Sequence, residues 1–239
     1  MPVPGGPIHY TQTQVRMVVP EVLRRQRLMD GENNLAACAA YNILRRQVLQ
    51  RMTANGWTTL AITSPGPGEG KTLTIANLAV TLAREVQWTV LLADFDLRRP
   101  SVHRYFGIEP RYGVSDVLCG DVPLHEALIH PGLAHLVILP GRIALANSSE
   151  LLASPKATQL ATELKARYPS RLVLFDLPPL LENDDALAFA PRVDAMLLVV
   201  EDGKTSKEEL KHALGLLKST HIIGTVLNRS HDTLANGYY

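Results

Sequence analysis

The run Ser64-Pro65-Gly66-Pro67-Gly68-Glu69-Gly70-Lys71-Thr72 carries the residue types needed to hold a chain of phosphates. Glycines let backbone N–H groups approach phosphate oxygens with no Cβ in the way. A helix starting where the loop ends adds its positive pole. An ammonium at Lys71 can reach β- and γ-phosphates, and a hydroxyl at Thr72 can ligate Mg²⁺. The expected contacts are Gly66, Pro67, Gly68, Glu69, Gly70, Lys71, Thr72 and Leu73. The usual spacing asks for glycine at position 65, where this chain has proline. The loop predicts binding of a nucleoside triphosphate with Mg²⁺.

Two further clusters are acidic. One is Asp94-Phe95-Asp96-Leu97-Arg98-Arg99-Pro100, the other Asp176-Leu177-Pro178-Pro179. Each follows a short apolar run, so each sits at a strand's carboxyl end, on the same sheet edge as the loop. Mg²⁺ takes a few hard oxygens and keeps several waters. Asp176 fits the acid that accompanies a phosphate loop, while Asp94 and Asp96 could supply a base and a second metal contact. The alternative is that these acids cap helices and turns. Arg98 and Arg99 either engage phosphate or pair with acids at the surface.

The elements that must position these groups follow from the hydrophobic pattern. Apolar runs at 60–63, 90–93, 136–139, 172–175, 195–200 and 222–227 read as strands. Helical patterns at 71–85, 157–168 and 206–218 separate them. Nearly continuous apolar strands between amphipathic helices predict an α/β fold, a mostly parallel sheet covered on both faces. Upstream, Leu35, Cys38, Tyr41, Leu44, Val48 and Met52 recur at helical spacing, with Arg45, Arg46 and Arg51 on a solvated basic edge. The stretch 1–33 reads as a flexible arm with a short basic helix at 22–27, and 34–230 as one phosphate-loop domain. The last stretch, 231–239, is a tail ending in Tyr238 and Tyr239.

Composition limits the alternatives. With 239 residues, 46% hydrophobic and 20% charged, the chain is globular. A net charge of +1 gives no general attraction for nucleic acid or an anionic membrane. Cys38 and Cys119 lie in apolar stretches and read as small core residues in a reducing compartment. Neither a secretory leader nor an apolar run long enough to cross a bilayer is present in the sequence, which predicts a cytoplasmic protein.

The three motifs together resemble the bacterial tyrosine kinases, phosphate-loop autokinases of capsule and exopolysaccharide synthesis. The resemblance runs from about Leu35 to the C-terminus, and Asp94-Phe95-Asp96-Leu97-Arg98-Arg99-Pro100 discriminates best. Ile8-His9-Tyr10-Thr11-Gln12-Thr13 is similar to the exosortase-associated subgroup. The resemblance implies that Lys71 and Thr72 take phosphate and Mg²⁺, that Asp94 is the base activating a tyrosine, and that Asp96 and Asp176 organise metal. It implies that Asn228 touches the nucleotide base, and that Tyr238 and Tyr239 accept phosphate from a neighbouring subunit of a homo-oligomer. It also implies activation by a transmembrane chain-length-determinant (co-polymerase) protein that recruits the chain to the inner face of the cell membrane. The related partition and septum-site ATPases have a signature lysine where this chain has Gly66. The family's ring-forming glutamate and two arginines correspond to Ala39, Asn42 and Arg45, and its usual Thr or Ser after the third motif is Leu177. A nucleotide switch of the partition type, or an ATP-binding module without kinase activity, are the competing readings.

Overall fold

The computed structural model describes residues 13–29, 35–167 and 170–230. Among these, eight strands form one sheet: β1 (Gln14–Val15), β2 (Thr59–Thr63), β3 (Thr89–Asp94), β4 (Ile129–His130), β5 (Leu136–Leu139), β6 (Arg171–Asp176), β7 (Ala195–Glu201) and β8 (Ile222–Asn228). Their order is β1-β4-β5-β3-β6-β2-β7-β8. Every pairing is parallel except β4 with β5. The predicted α/β fold, with a mostly parallel central sheet and helices on both faces, is the observed one.

Alternate residues of the central strands feed two cores, one on each face. Leu91, Ala93, Val173 and Phe175 turn to one side. Val90, Leu92, Leu172 and Leu174 turn to the other, where they meet Ile75, Leu78 and Leu82. This is why the strands read as unbroken apolar runs rather than as alternating ones. Phe95, Phe175 and Phe189 close the first core as three mutually touching rings, 4.7–5.0 Å between centroids.

The structure differs from the sequence reading at several points. The two-residue strands β1 and β4 carry too little pattern to announce themselves. Helix α1 (Pro20–Arg25) starts two residues earlier than predicted. The segment read as an arm is packed against the domain where it is described: Leu23, Leu28 and Met29 are buried. In α2 (Leu35–Asn55) the apolar stripe is buried deepest in its second half, at Val48 and Met52, while Leu35 at its start is 82% exposed. Arg45 is not a solvated edge; its guanidinium bonds the Thr81 carbonyl and the Glu85 carboxylate. Helix α3 (Lys71–Leu82) ends three residues short of 85, where the chain tightens into turns at Ala83, Arg84 and Glu85. Cys119 is exposed and Cys38 half-buried, neither of them in a disulfide, so neither is the core residue expected.

The expected placement at the inner face of the membrane is corrected here. Among the described residues no helix is long and apolar enough to cross a membrane, and recruitment to a membrane face has no support in the fold.

The aromatic triad makes the first core sensitive to truncation. Phe189→Ala should cost about 3–5 kcal/mol, read as a lowered denaturant midpoint with unchanged slope. A loss under about 1 kcal/mol would contradict the packing described.

Candidate nucleotide site

The register of β3 on β6 sets Asp94 directly beside Asp176, and β6 pairs with β2, which runs into the glycine-rich loop. Three strands therefore deliver three motifs to one edge. The loop is tied down at its base: Thr63 donates its hydroxyl to the Pro178 carbonyl at 2.7 Å, and the Leu180 N–H reaches the Ser64 carbonyl at 2.8 Å. Leu177, where the family has a hydroxyl, is fully buried in the first core.

Gly70 begins α3 with φ +92°. A Cβ there would lie 2.1 Å from Asn228 Nδ2, so both the backbone and the neighbour require glycine. Asn228 donates to the Glu69 carbonyl at 2.8 Å. Glu69 turns away from the loop's inner face: its carboxylate accepts from the Gly66 N–H and the Thr205 hydroxyl. Lys204 donates to the Pro67 carbonyl. The turn after β7 and the end of β8 thus hold the loop from outside.

At the start of α3, Lys71 Nζ lies 2.7 Å from Asp96 Oδ2 and 3.6 Å from Asp176 Oδ1. Thr72 donates its hydroxyl to Asp176 Oδ2 at 2.7 Å. All four side chains are buried. Burial alone pulls the lysine down, but Asp176 and Asp96 outweigh it and its pKa is raised. Burial pushes Asp176 up to about 6 against the pull of Lys71. Asp94 is pushed up to about 8, by burial first and by the Asp176 charge second.

Asp94 Oδ2 accepts from the Ser101 and Val102 N–H groups, at 2.8 and 2.9 Å. Its Oδ1 and the Oδ1 of Asp176 are buried without a hydrogen-bond partner. Among the described residues no three acidic, histidine or cysteine side chains form a ready-made metal cage. Mg²⁺ does not need one: it takes one or two carboxylates and completes its shell with water and phosphate. The Thr72 hydroxyl, Asp176, whose Oδ1 makes no hydrogen bond and meets only the Lys71 ammonium at 3.6 Å, and Asp96 suit that demand.

Above this cluster opens a cavity of about 440 Å³. Its walls include Pro67, Gly68, Gly70, Lys71, Thr72, Leu73, Asp96 and Asn228, all expected from sequence. Gly66 and Glu69 do not line it, nor do Asp94 and Asp176, which lie beneath. Tyr238 and Tyr239 fall outside the described residues. Sequence reading missed Arg27, Ser101, Arg104, Tyr105 and Arg229, which also line the cavity. Arg229 was signalled by its place beside Asn228 at a strand's carboxyl end; Arg27, Arg104 and Tyr105 lie in short helical turns with no period to flag them. Arg98 and Arg99 do pair with acids: Arg98 grips the fully buried Asp185 at 3.1 and 3.2 Å, and Arg99 meets Glu182 at 3.4 Å. Arg99 also faces the cavity. Five cationic side chains therefore surround a space with a single lining carboxylate, which suits a polyphosphate.

A strand, a glycine-rich turn and a helix N-terminus, with acids on neighbouring strand ends, define a P-loop NTPase. The model of the CobQ/CobB/MinD/ParA nucleotide-binding domain matches residues 60–237. Tyrosine-protein kinase YwqD of Bacillus subtilis is 36% identical over 191 residues, covering 79% of each chain. Succinoglycan biosynthesis transport protein ExoP of Rhizobium meliloti is 34% identical over 187 residues, 76% of this chain but 23% of its own length. The crystal structure of the VpsO kinase domain superposes with a TM-score of 0.73 at 32% identity, covering 82% of this chain and 95% of that one. The chain belongs to the CobQ/CobB/MinD/ParA nucleotide-binding family and within it groups with the bacterial tyrosine kinases. It spans about a quarter of the length of several longer relatives.

The raised Asp94 value has a defined consequence. Between an unfolded value near 3.8 and a folded value of about 8, the native state binds the extra proton. Stability therefore falls as pH rises through that window. Asp94→Asn keeps an oxygen for the Ser101 and Val102 N–H groups and removes the titration. Its melting temperature, relative to wild type, should rise steadily from pH 5 to pH 8. A difference that stays constant with pH would contradict the assignment.

Proposed function

We propose that this chain is an ATP-dependent protein-tyrosine autokinase of the bacterial type, using Mg-ATP to phosphorylate Tyr238 and Tyr239. The observation that carries the reading is the buried Lys71–Asp96–Asp176–Thr72 cluster at the floor of a cation-lined cavity. The names of its relatives point the same way.

In the proposed step the phenol oxygen bonds to the γ-phosphorus as the bond from that phosphorus to the bridging oxygen breaks. ADP leaves, and the phenol proton passes to a carboxylate. Mg²⁺, held by Thr72, Asp176 and Asp96, would neutralise charge on the transferring group. Lys71 would leave Asp96 for phosphate oxygens, and the loop N–H groups would orient the chain. Asp94 is the proposed base, with one unpartnered oxygen; burial keeps its carboxyl protonated in the nucleotide-free state, so it acts as a base once a cation bound in the site has drawn that proton off. It does not line the cavity in this arrangement, so the segment 95–101 has to yield for a phenol to reach it. Asn228, on the cavity wall, is the proposed contact for the base.

The setting we propose is exopolysaccharide or capsule synthesis, with a chain-length-determinant protein as activator and a homo-oligomer for phosphorylation between subunits. The exosortase-associated subgroup belongs to the same proposal; nearly all of its signature, at 8–13, lies outside the described residues.

Incubation with Mg-ATP and the soluble segment of the chain-length-determinant partner, followed by mass spectrometry, tests this. Phosphate is expected on Tyr238 or Tyr239. In Lys71→Met it should fall by about 100-fold or more. ATP hydrolysis without phosphotyrosine would overturn the kinase in favour of a nucleotide switch.

A further inference from the structure

We infer that Arg27 is a cationic ligand for the nucleotide's phosphates, delivered to the cavity by the segment that precedes α2. The inference rests on the reading of the cavity as a nucleotide site, and its starting point is a backbone anomaly. Arg27 has φ +58°, in the left-handed region.

The cause is local. Helix α1 ends with the Arg27 N–H on the Arg24 carbonyl and the Leu28 N–H on the Leu23 carbonyl. That pair of bonds is the Schellman motif, and the two leucines it joins, Leu23 and Leu28, are both buried in the same core. The motif places the residue after the C-cap in the left-handed region, where glycine is favoured because it has no Cβ. Here the position holds a large cation instead. A strained residue of the wrong type for its backbone points from geometry to function.

The turn is also fixed from outside. The Asn77 side chain, buried on α3, donates to the Arg27 carbonyl at 3.1 Å and accepts the Met29 N–H at 2.8 Å. Arg84 donates to the Met29 carbonyl at 2.8 Å. On the other flank, Val22 packs so closely on Gly107 that a Cβ there would lie 2.8 Å from it. The helix that carries Lys71 and Thr72 therefore holds the Arg27 backbone in place.

The held side chain lines the same cavity as Lys71 and Thr72. Arg27 forms no ion pair with a carboxylate of the described residues, whereas Arg24, one turn earlier, pairs with Glu21. A guanidinium at the mouth of a phosphate cavity can make charge-assisted, bidentate contacts with phosphate oxygens.

Glycine is the decisive substitution. Arg27→Gly keeps every backbone bond of the turn and relieves the left-handed strain, so the nucleotide-free protein should melt at or above the wild-type temperature. The full chain's affinity for Mg-ATP, measured by titration calorimetry, should nevertheless weaken about tenfold. Adenosine binding should not change, and Arg25→Ala, on the same segment but outside the cavity, should bind Mg-ATP as wild type does. Wild-type affinity for Mg-ATP in Arg27→Gly would overturn the inference, as would an equal loss for adenosine, which would put Arg27 on the base. If the wild-type protein binds no Mg-ATP, it is the reading of the cavity itself that fails.

Discussion

A lysine ammonium buried among carboxylates decides what this edge of the sheet can do. Lys71 is held 2.7 Å from Asp96 with Asp176 close behind, out of water. A charge in that position is stable only while it is paired, since removing one partner from a buried pair leaves the other uncompensated. Asp94 adds a third acid to the same cluster, and one cation cannot balance three. The structure resolves the excess by raising Asp94 to about 8, which keeps it largely protonated at neutral pH. Phosphate and Mg²⁺ change that balance together. Phosphate offers Lys71 new anionic oxygens, and the ion offers the acids a new cation.

The rest of the fold serves this arrangement. The register of β3 on β6 puts Asp94 against Asp176. Gly70, with no room for a Cβ, turns the loop into α3 and sets Lys71 and Thr72 over those acids. Asp94 also binds the turn at Ser101 and Val102, which leads to Arg104 and Tyr105 on the cavity wall. The charge state of the cluster and the shape of the cavity are therefore linked through one side chain.

Much of this was legible in the sequence because the signals are local. The loop, the acids at 94, 96 and 176, and the parallel strands all follow from spacing and from apolar runs. What escaped depends on tertiary contacts. Glu69 sits inside the motif, yet its carboxylate is claimed by Gly66 and Thr205. Arg45 survives from the ring-helix pattern and reads as a surface charge, but Thr81 and Glu85 hold it against α3. The packing of 13–29 rests on a two-residue strand and a six-residue helix, too short for periodicity to show. Arg27 could not be found from pattern at all, since its position follows from how one turn ends and which asparagine on α3 receives it.

The central claim is that the Lys71–Asp96 pair is the nucleotide-free form of a phosphate and Mg²⁺ site. A crystal structure with Mg²⁺ and a non-hydrolysable ATP analogue tests it most directly. The account predicts that Lys71 Nζ leaves Asp96 for phosphate oxygens, while the Thr72 hydroxyl turns from Asp176 to the ion and the carboxylates of Asp96 and Asp176 face that ion. A bound analogue with the Lys71–Asp96 contact still at 2.7 Å, or an ion held away from Thr72 and Asp176, would contradict it.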